Sequence, residues 1–260
     1  MERIRYPNET IIFMVTFLLL AAILIITAIP TFFIGPILAV VAIVFSYFQS
    51  SAMHQQLIQT AYPVNEQTSP ELLRILRETQ QRLKVKDVSL YVVPSQVRNA
   101  YTFGLNKPQA VVLYSPLLEI LDADELRFVI GHELGHVALD HTWLNTLLGG
   151  MSGIPTSFGL AMLITLVFRS WNRACEYSVD RAGLIACGNL NKAITALVQI
   201  AVGDIRSQSE FQRALAMIDS QDDSWVNILG EGLSTHPMII RRIQKLKEFA
   251  SSSIYREMTA

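Results

Sequence analysis

The sequence lacks charged residues over a long stretch near its start. No Asp, Glu, Lys or Arg occurs between Glu9 and Glu66, and Ile11 to Ile29 is an apolar run. With 51% hydrophobic residues and a mean hydropathy of +0.34, the chain is more apolar than a typical soluble enzyme. Because ~20 helical residues cross the ~30 Å hydrocarbon core of a bilayer, this run predicts a transmembrane helix.

A second apolar run, Phe32 to Phe48, follows directly after Pro30. Two spans joined by a tight turn predict a hairpin over residues 1–50. A cleaved signal peptide is the alternative, but the first run is longer than an ordinary signal core and a second span follows it. Arg3 and Arg5 precede the first span and the turn carries no Lys or Arg, which favours a cytoplasmic N-terminus and a cytoplasmic domain after the hairpin.

Basic stripes and paired cysteines are also missing. The formal net charge is -1 and the isoelectric point is near 6.5, so nothing favours a nucleic-acid partner. Cys175 and Cys187 are the two cysteines of the chain, and neither belongs to a Cys-x-x-Cys pair. This usage agrees with a reducing compartment.

The rest of the chain divides into a polar connector, one domain and a short tail. We expect the connector at 51–68, the domain at 69–250 and the tail at 251–260. Within the domain, amphipathic patterns and capping residues predict helices, and short β-rich runs predict two strands. The predicted helices begin at Pro70 and after Asp122, and cover 174–187, 190–202 and about 237–249; the predicted strands are 88–93 and 110–115.

The segment "HELGH", from His132 to His136, has the spacing of a metal site on a helix. Residues four apart lie on one helical face, so both imidazoles can reach a zinc ion at ~2.0 to 2.1 Å. Glu133 would lie beside the metal and take a proton from a zinc-activated water. A helix that merely contains two histidines and a glutamate is the alternative.

Two residues are candidates for the third ligand. His141 lies one position too early for the pattern that continues His-x-x-Gly-x-x-His, so we expect it at the surface or behind a ligand. Glu176 is the better candidate, because Asp180 lies on the same helical face and could bind the far nitrogen of a ligand histidine. Two histidines and one glutamate leave a position open for water, as in catalytic zinc sites. A solvated face paired with Arg173 or Arg181 is the alternative for Glu176 and Asp180.

Four segments together resemble the M48 family of zinc metallopeptidases, to which HtpX-type proteases belong. In chain order these segments are "NAYTFG" at 99–104, "HELGH" at 132–136, "EYSVD" at 176–180 and "STHPMIIRRI" at 234–243. The resemblance covers roughly residues 69–249. It implies a fold that is mainly α with a small β-sheet, a zincin-like α+β domain of gluzincin type, here preceded by the transmembrane hairpin.

The resemblance also implies roles for individual residues. One Zn²⁺ per chain would bind His132, His136 and Glu176, with Glu133 as the general base and Asp180 behind a ligand. His236 would stabilise the oxyanion, and Arg242 would orient His236 or Glu176. The implied substrate-binding residues, on an edge strand beside the cleft, are Asn99, Ala100, Tyr101 and Thr102.

One segment departs from the HtpX-type pattern, in which further membrane spans separate the histidine pair from the glutamate. Residues 142–168 form a charge-free run of 27 residues. One crossing would put Glu176 on the wrong side of the membrane from His132, and two crossings need ~40 residues. We therefore expect a helical hairpin that is buried in the domain, dips into the bilayer surface or covers the cleft.

The predicted function is a membrane-anchored zinc endopeptidase that acts on polypeptides, and the role we expect for it is the quality control of membrane proteins. An intramembrane protease is disfavoured by the charges near His132. A catalytically silent or latent zinc-stabilised scaffold is the non-enzymatic alternative, although Glu133 and His236 are both retained. Two imidazoles and a carboxylate suit several divalent metals, and the sequence gives no oligomeric state.

Overall fold

The computed structural model describes residues 2–30, 32–104, 109–144, 159–201 and 239–259. Over these residues the chain is mainly helical with one small sheet, as predicted. A 3₁₀ turn at Glu2–Ile4 precedes the first helix. The helices are α1 (Glu9–Ala28), α2 (Ile34–Thr60), α3 (Pro70–Leu83), α4 (Pro116–Ile120), α5 (Ala123–Ala138), α6 (Gly159–Cys187), α7 (Leu190–Ala201), α8 (Ile239–Ala250) and α9 (Ser253–Thr259).

Helices α1 and α2 are the two described helices that are long and apolar enough to cross a membrane, by length and composition. Their mean hydropathies reach 3.0 and 1.7, and large apolar side chains such as Ile25 and Phe48 are exposed on them. They are joined by a tight turn in which the Phe33 N–H donates to the Ala28 carbonyl at 2.6 Å. The two helices fit the predicted hairpin.

Helix α2 continues beyond Phe48, where the second span was expected to end, through the polar segment to Thr60. Its last turns pack on the sheet: the His54 ring stacks on Phe103 at a centroid distance of 4.0 Å, and Leu57 packs in the same cluster. The Gln-rich start of the predicted connector is therefore helical, because one of its faces is covered by the domain.

The sheet has four strands, β1 (Tyr62–Pro63), β2 (Val88–Val93), β3 (Ala100–Phe103) and β4 (Gln109–Tyr114), in the order β1-β2-β4-β3. Strands β2 and β4 are parallel, and they match the two predicted strands to within one residue. Strand β3 is antiparallel to β4, with Thr102 opposite Val111. Among the described strands, β3 pairs on one side only, so it forms an edge of the sheet.

Helix α5 is the central element of the domain. It packs against α3 and the β3–β4 side of the sheet, and against α6 and α7. Asp122 caps it as predicted, because its side chain accepts from the N–H groups of Asp124 and Glu125 while Glu125 accepts from the Asp122 N–H at 2.9 Å. Phe128, Ile130 and Leu134 are fully buried members of the main core. The helix that carries "HELGH" is thus fixed along its whole length.

Helix α6 begins earlier than predicted, at Gly159 rather than Ala174. The end of the charge-free segment therefore belongs to this helix. Leu144 and Phe168, near the two ends of that segment, are buried in a cluster with Trp171 and with Ile12 and Phe13 of α1. Both described ends of the segment therefore pack against α1; residues 145–158 lie outside the described ranges.

Candidate metal centre

The two histidines of "HELGH" lie one turn apart on α5 and face the same side. Their ring centroids are 5.3 Å apart, and both side chains are largely buried. The Nε2 atoms of His132 and His136 each lie 3.7 Å from a carboxylate oxygen of Glu176. One possible ligand atom from each of the three residues lies within 4.8 Å of the others.

These distances suit a metal ion. Two ligand atoms bound tetrahedrally at ~2.1 Å stand about 3.4 Å apart, close to the 3.7 Å separations here. The donor set of two imidazoles and one carboxylate is the set found in catalytic zinc sites, and it leaves a position open. The residues present therefore fit a zinc ion, and the structure brings together the three residues that the sequence indicated as candidate ligands.

Glycines allow α5 and α6, the two helices that carry the three candidate ligands, to pack closely together. A Cβ on Gly131 would lie 2.4 Å from the Cβ of Ala186 on α6, and a Cβ on Gly135 would lie 2.8 Å from that of Ala182. Helices approach this closely only where one side has no side chain. The glycine within "HELGH" thus lets α6 bring Glu176 up to the histidine pair.

Asp180 and Arg242 support this face of the site. The Nδ1 of His132 lies 3.0 Å from Asp180 Oδ1, which leaves Nε2 toward Glu176. Arg242 donates to both oxygens of Asp180, at 2.8 and 2.6 Å, and lies 3.0 Å from Glu176 Oε2. Asp180 is 1% exposed and pairs with neither Arg173 nor Arg181, so the solvated-face alternative does not hold for it.

The charge of Arg242 sets the protonation of this group. Burial by itself would raise the pKa of Asp180, but the Arg242 charge and the hydrogen bonds from Arg242 and His132 bring that pKa down to about 2. Asp180 is therefore ionised, and as an anion it favours a proton on the His132 Nδ1 that faces it.

Glu133 points to the side of the site where β3 runs. Burial raises the pKa of its carboxyl group, which is 5% exposed as a residue. The hydroxyl of Thr102 on β3 donates to Glu133 Oε2 at 2.7 Å and lies 3.0 Å from the Glu133 carbonyl oxygen. A carboxylate with a raised pKa beside the metal ligands has the character of a general base.

The sequence patterns did not anticipate the contact between Thr102 and Glu133. The family resemblance predicts that Thr102 binds substrate; in the structure its hydroxyl donates to Glu133. Asn99 directly precedes the edge strand, and Ala100 and Tyr101 are its first two residues; the Asn99 carbonyl accepts from the Tyr114 N–H at 3.0 Å. His236 lies outside the described residues.

His141 is buried at 1% exposure, so it is not a surface histidine. It lies behind His136, with the two Nδ1 atoms 3.3 Å apart, and its Nε2 is 3.0 Å from Glu9 Oε1. Glu9 was not anticipated from the sequence, since it marked only the edge of an apolar run. No local spacing signals a contact between residues 132 positions apart.

Comparison with known proteins identifies the family. The model of peptidase family M48 matches residues 66–250. The chain belongs to peptidase family M48. The resemblance drawn from four short segments is thereby confirmed, and the M48 match includes strands β2, β3 and β4 and all helices from α3 to α8.

Three relatives show how the M48 domain is shared. The chain is 29% identical to the plastoglobule-localized metallopeptidase 48 of Arabidopsis thaliana, over 77% of this chain and 63% of that protein. It is 34% identical to a protease HtpX homolog of Paenarthrobacter aurescens over 56% of this chain and 49% of that protein. A protease HtpX homolog of Kineococcus radiotolerans is 28% identical over 79% of this chain and 82% of its own length. The chain thus spans less than two thirds of the first two relatives.

Proposed function

We propose that this M48 family member is a membrane-anchored zinc endopeptidase, with His132, His136 and Glu176 as the metal ligands. The observation that carries the proposal is the position of Glu133, a buried carboxylate with a raised pKa on the same helix as two of the three ligands. Zinc bound there would polarise the scissile carbonyl and acidify a water molecule. HtpX homologs and the plastid relative are named as a protease and a metallopeptidase.

The chain's own residues supply the remaining steps. Glu133 accepts the proton of the attacking water at its carboxylate and passes it to the leaving amine. The Thr102 hydroxyl holds that carboxylate in place during both transfers. Arg242 holds Asp180 and Glu176 together, and His236, by the family resemblance, stabilises the oxyanion.

The substrate is a polypeptide in extended form. Strand β3 is an edge strand whose Thr102 contacts the general base, so a peptide added alongside β3 would pass beside Glu133. Such recognition uses backbone groups, which suits a protease acting on unfolded segments in membrane-protein quality control. Asn99, Ala100 and Tyr101 extend the same binding edge.

The membrane anchor is the hairpin of α1 and α2. At 1.5 Å per residue, the 20 residues of α1 span about 30 Å, the thickness of the hydrocarbon core. Glu9, the first residue of α1, is hydrogen-bonded to His141 directly behind a proposed ligand, so cleavage takes place close to the membrane surface. Arg3 and Arg5 favour the cytoplasmic side, and a tag after Ala260 that is accessible only from the opposite face would refute this orientation.

Casein cleavage by detergent-purified protein tests the activity. Wild type is expected to cleave, and Glu133→Gln to lose cleavage while both proteins contain one zinc per chain. Asp124→Asn, a change to an exposed carboxylate at the start of the same helix, serves as the matched control and should cleave normally. Equal zinc without cleavage in wild type would favour the silent scaffold or a latent protease.

A further inference from the structure

The segment that precedes α1 is fastened to the metal-binding domain. Ile4 is fully buried in the main core, and the Tyr6 N–H donates to the Ser178 hydroxyl of α6 at 2.7 Å. The Arg181 guanidinium donates to the carbonyls of Ile4 and Arg5 at 3.3 and 3.0 Å and lies over the Tyr6 ring at 5.2 Å. The first residues of the chain therefore follow α6 closely, within two turns of Glu176.

Because the segment before α1 packs against α6, the carboxylate of Glu9 lies in the interior of the domain. Glu9 is 1% exposed, and its carboxylate contacts three polar groups: His141 Nε2 at 3.0 Å, the Ser178 hydroxyl and the Arg5 guanidinium. A buried carboxylate is costly unless it is paired and hydrogen-bonded, and Glu9 is both. A helix does not need a buried carboxylate at its first position to cross a membrane, so membrane insertion does not explain Glu9.

The hydrogen-bond directions from the metal site to Glu9 are determined by the chemistry of imidazole. A neutral histidine that binds metal through Nε2 carries its proton on Nδ1, so the Nδ1–H of His136 donates to the Nδ1 of His141. His141 then carries its own proton on Nε2, and that N–H donates to Glu9. The three residues form one chain of two hydrogen bonds, at 3.3 and 3.0 Å.

A second metal site is the competing interpretation, because Glu9, His141 and Cys175 also lie close enough to share an ion. Two observations disfavour it. The Arg5 guanidinium pairs with Glu9 and lies 3.4 Å from His141 Nε2, so a cation there would face a fixed positive charge. Burial raises the pKa of the Cys175 thiol, which opposes the thiolate that a metal requires.

We infer that Glu9 is a positioning residue for the metal centre, acting through His141 on the ligand His136. It does for His136 what Asp180 does for His132: it fixes which nitrogen is free for the metal and makes the ring a better donor. The inference rests on the proposed metal ligands. Since Glu9 begins α1, the position of the first membrane helix and the geometry of the metal site are mechanically joined.

Zinc affinity of the full-length, detergent-purified chain, measured by competition with a chelator, tests this role. Glu9→Ala is expected to weaken zinc binding by about 10- to 100-fold, the usual cost of losing such a supporting group. Glu9→Gln should lose less, because its amide oxygen still accepts from His141. Glu2→Gln is the matched control: Glu2 also pairs with Arg5, at 2.7 Å, but its side chain is exposed to solvent rather than buried against His141, so zinc affinity should be unchanged.

A double-mutant cycle separates positioning from a general loss of structure. In a His141→Phe background, Glu9→Gln should have no further effect on zinc affinity, since the path from Glu9 to His136 is already broken. Thermal unfolding of the metal-free proteins shows whether each variant folds. If Glu9→Ala does not fold, Glu9→Gln alone provides the test.

Two results would overturn the inference. One is an unchanged zinc affinity in both Glu9→Gln and Glu9→Ala. The other is a loss of zinc affinity on Glu9→Gln that is as large in the His141→Phe background as in the wild type. A wild-type chain that binds no zinc would instead refute the proposed function, and the inference with it. The two failures are distinguishable, because the first leaves the wild-type affinity intact.

Discussion

The contact between α5 and α6 at Gly131 predicts that Gly131→Ala destabilises the domain. In a free helix this change would be favourable by roughly 0.5–1 kcal/mol, because alanine restricts the unfolded backbone and suits a helix better. Here the added Cβ would lie 2.4 Å from the Cβ of Ala186 and 3.1 Å from the Cα of Gly183. The packing contact and the helix preference therefore act in opposite directions.

The unfavourable packing contact should outweigh the favourable helix preference of alanine. Carbon atoms pack at about 3.5–4.0 Å, so α5 and α6 would have to separate locally by about 1 Å or more. Neither helix can bend easily, since Phe128 and Leu184 around the contact are fully buried. Overpacking of this kind costs ~1–3 kcal/mol, and we expect the upper part of that range, which leaves a net loss of about 2 kcal/mol in the free energy of unfolding.

The same separation should weaken the metal site. His132 follows Gly131 directly on α5, whereas Glu176 is carried by α6, so a change in helix spacing alters the distance between ligands. Chemical unfolding of the detergent-purified metal-free protein measures the stability, and chelator competition measures the zinc affinity. Both should fall in Gly131→Ala.

A compensating substitution provides the control. Ala186→Gly removes the atom at 2.4 Å, so Gly131→Ala combined with Ala186→Gly should recover part of the stability and of the zinc affinity. Recovery should be incomplete for two reasons. The Cα of Gly183 stays 3.1 Å from the new Cβ at position 131. The glycine introduced at position 186 also costs ~1 kcal/mol within a helix. A Gly131→Ala protein that is more stable than wild type would refute the packing argument.

Three further predictions concern groups around the site. Thr102→Val removes a hydrogen bond to the charged form of Glu133, so the pKa of that carboxyl, already raised by burial, should rise further. The acid limb of the pH profile of kcat/KM should therefore move to higher pH. Thr102→Ser keeps the hydroxyl and should leave the acid limb in place. Asp122→Ala removes the cap of α5 and should lower the free energy of unfolding by about 0.5–2 kcal/mol in chemical unfolding, whereas Asp122→Asn should not. Arg242→Lys keeps the charge but loses the fork that bonds both oxygens of Asp180, so zinc affinity should fall in chelator competition although the net charge is unchanged.

Much of the fold could be predicted because its signals are local. The capping box at Asp122, the amphipathic pattern after Pro70 and the β-rich run at 88–93 each depend on neighbouring residues, and the structure confirms all three. Helix α6 was predicted to begin too late because the charge-free run that ends at Phe168 was assigned to a separate hairpin, whereas the helix continues from Gly159 through Arg169 and Arg173 to Cys187.

Two of the three proposed metal ligands follow from local spacing, and the third from a short motif on another helix. Their meeting depends on features that carry no such signal. Gly131 and Gly135 read as mild helix breakers within a helix, yet their missing side chains set the distance between α5 and α6. A glycine that destabilises its own helix is thus required by a contact with another helix. Rules based on local sequence fail at such positions because the function of the site depends on the contact.

The two sides of the site differ in how they could be found. Asp180 lies one turn from Glu176, so helical spacing alone put it within reach of a ligand. Glu9 is far away in sequence, and its charge at the edge of an apolar run read simply as the boundary of a membrane span. The structure gives that boundary residue a buried position behind His136, and a charge placed there at the cost of burial is explained by the metal site rather than by the membrane.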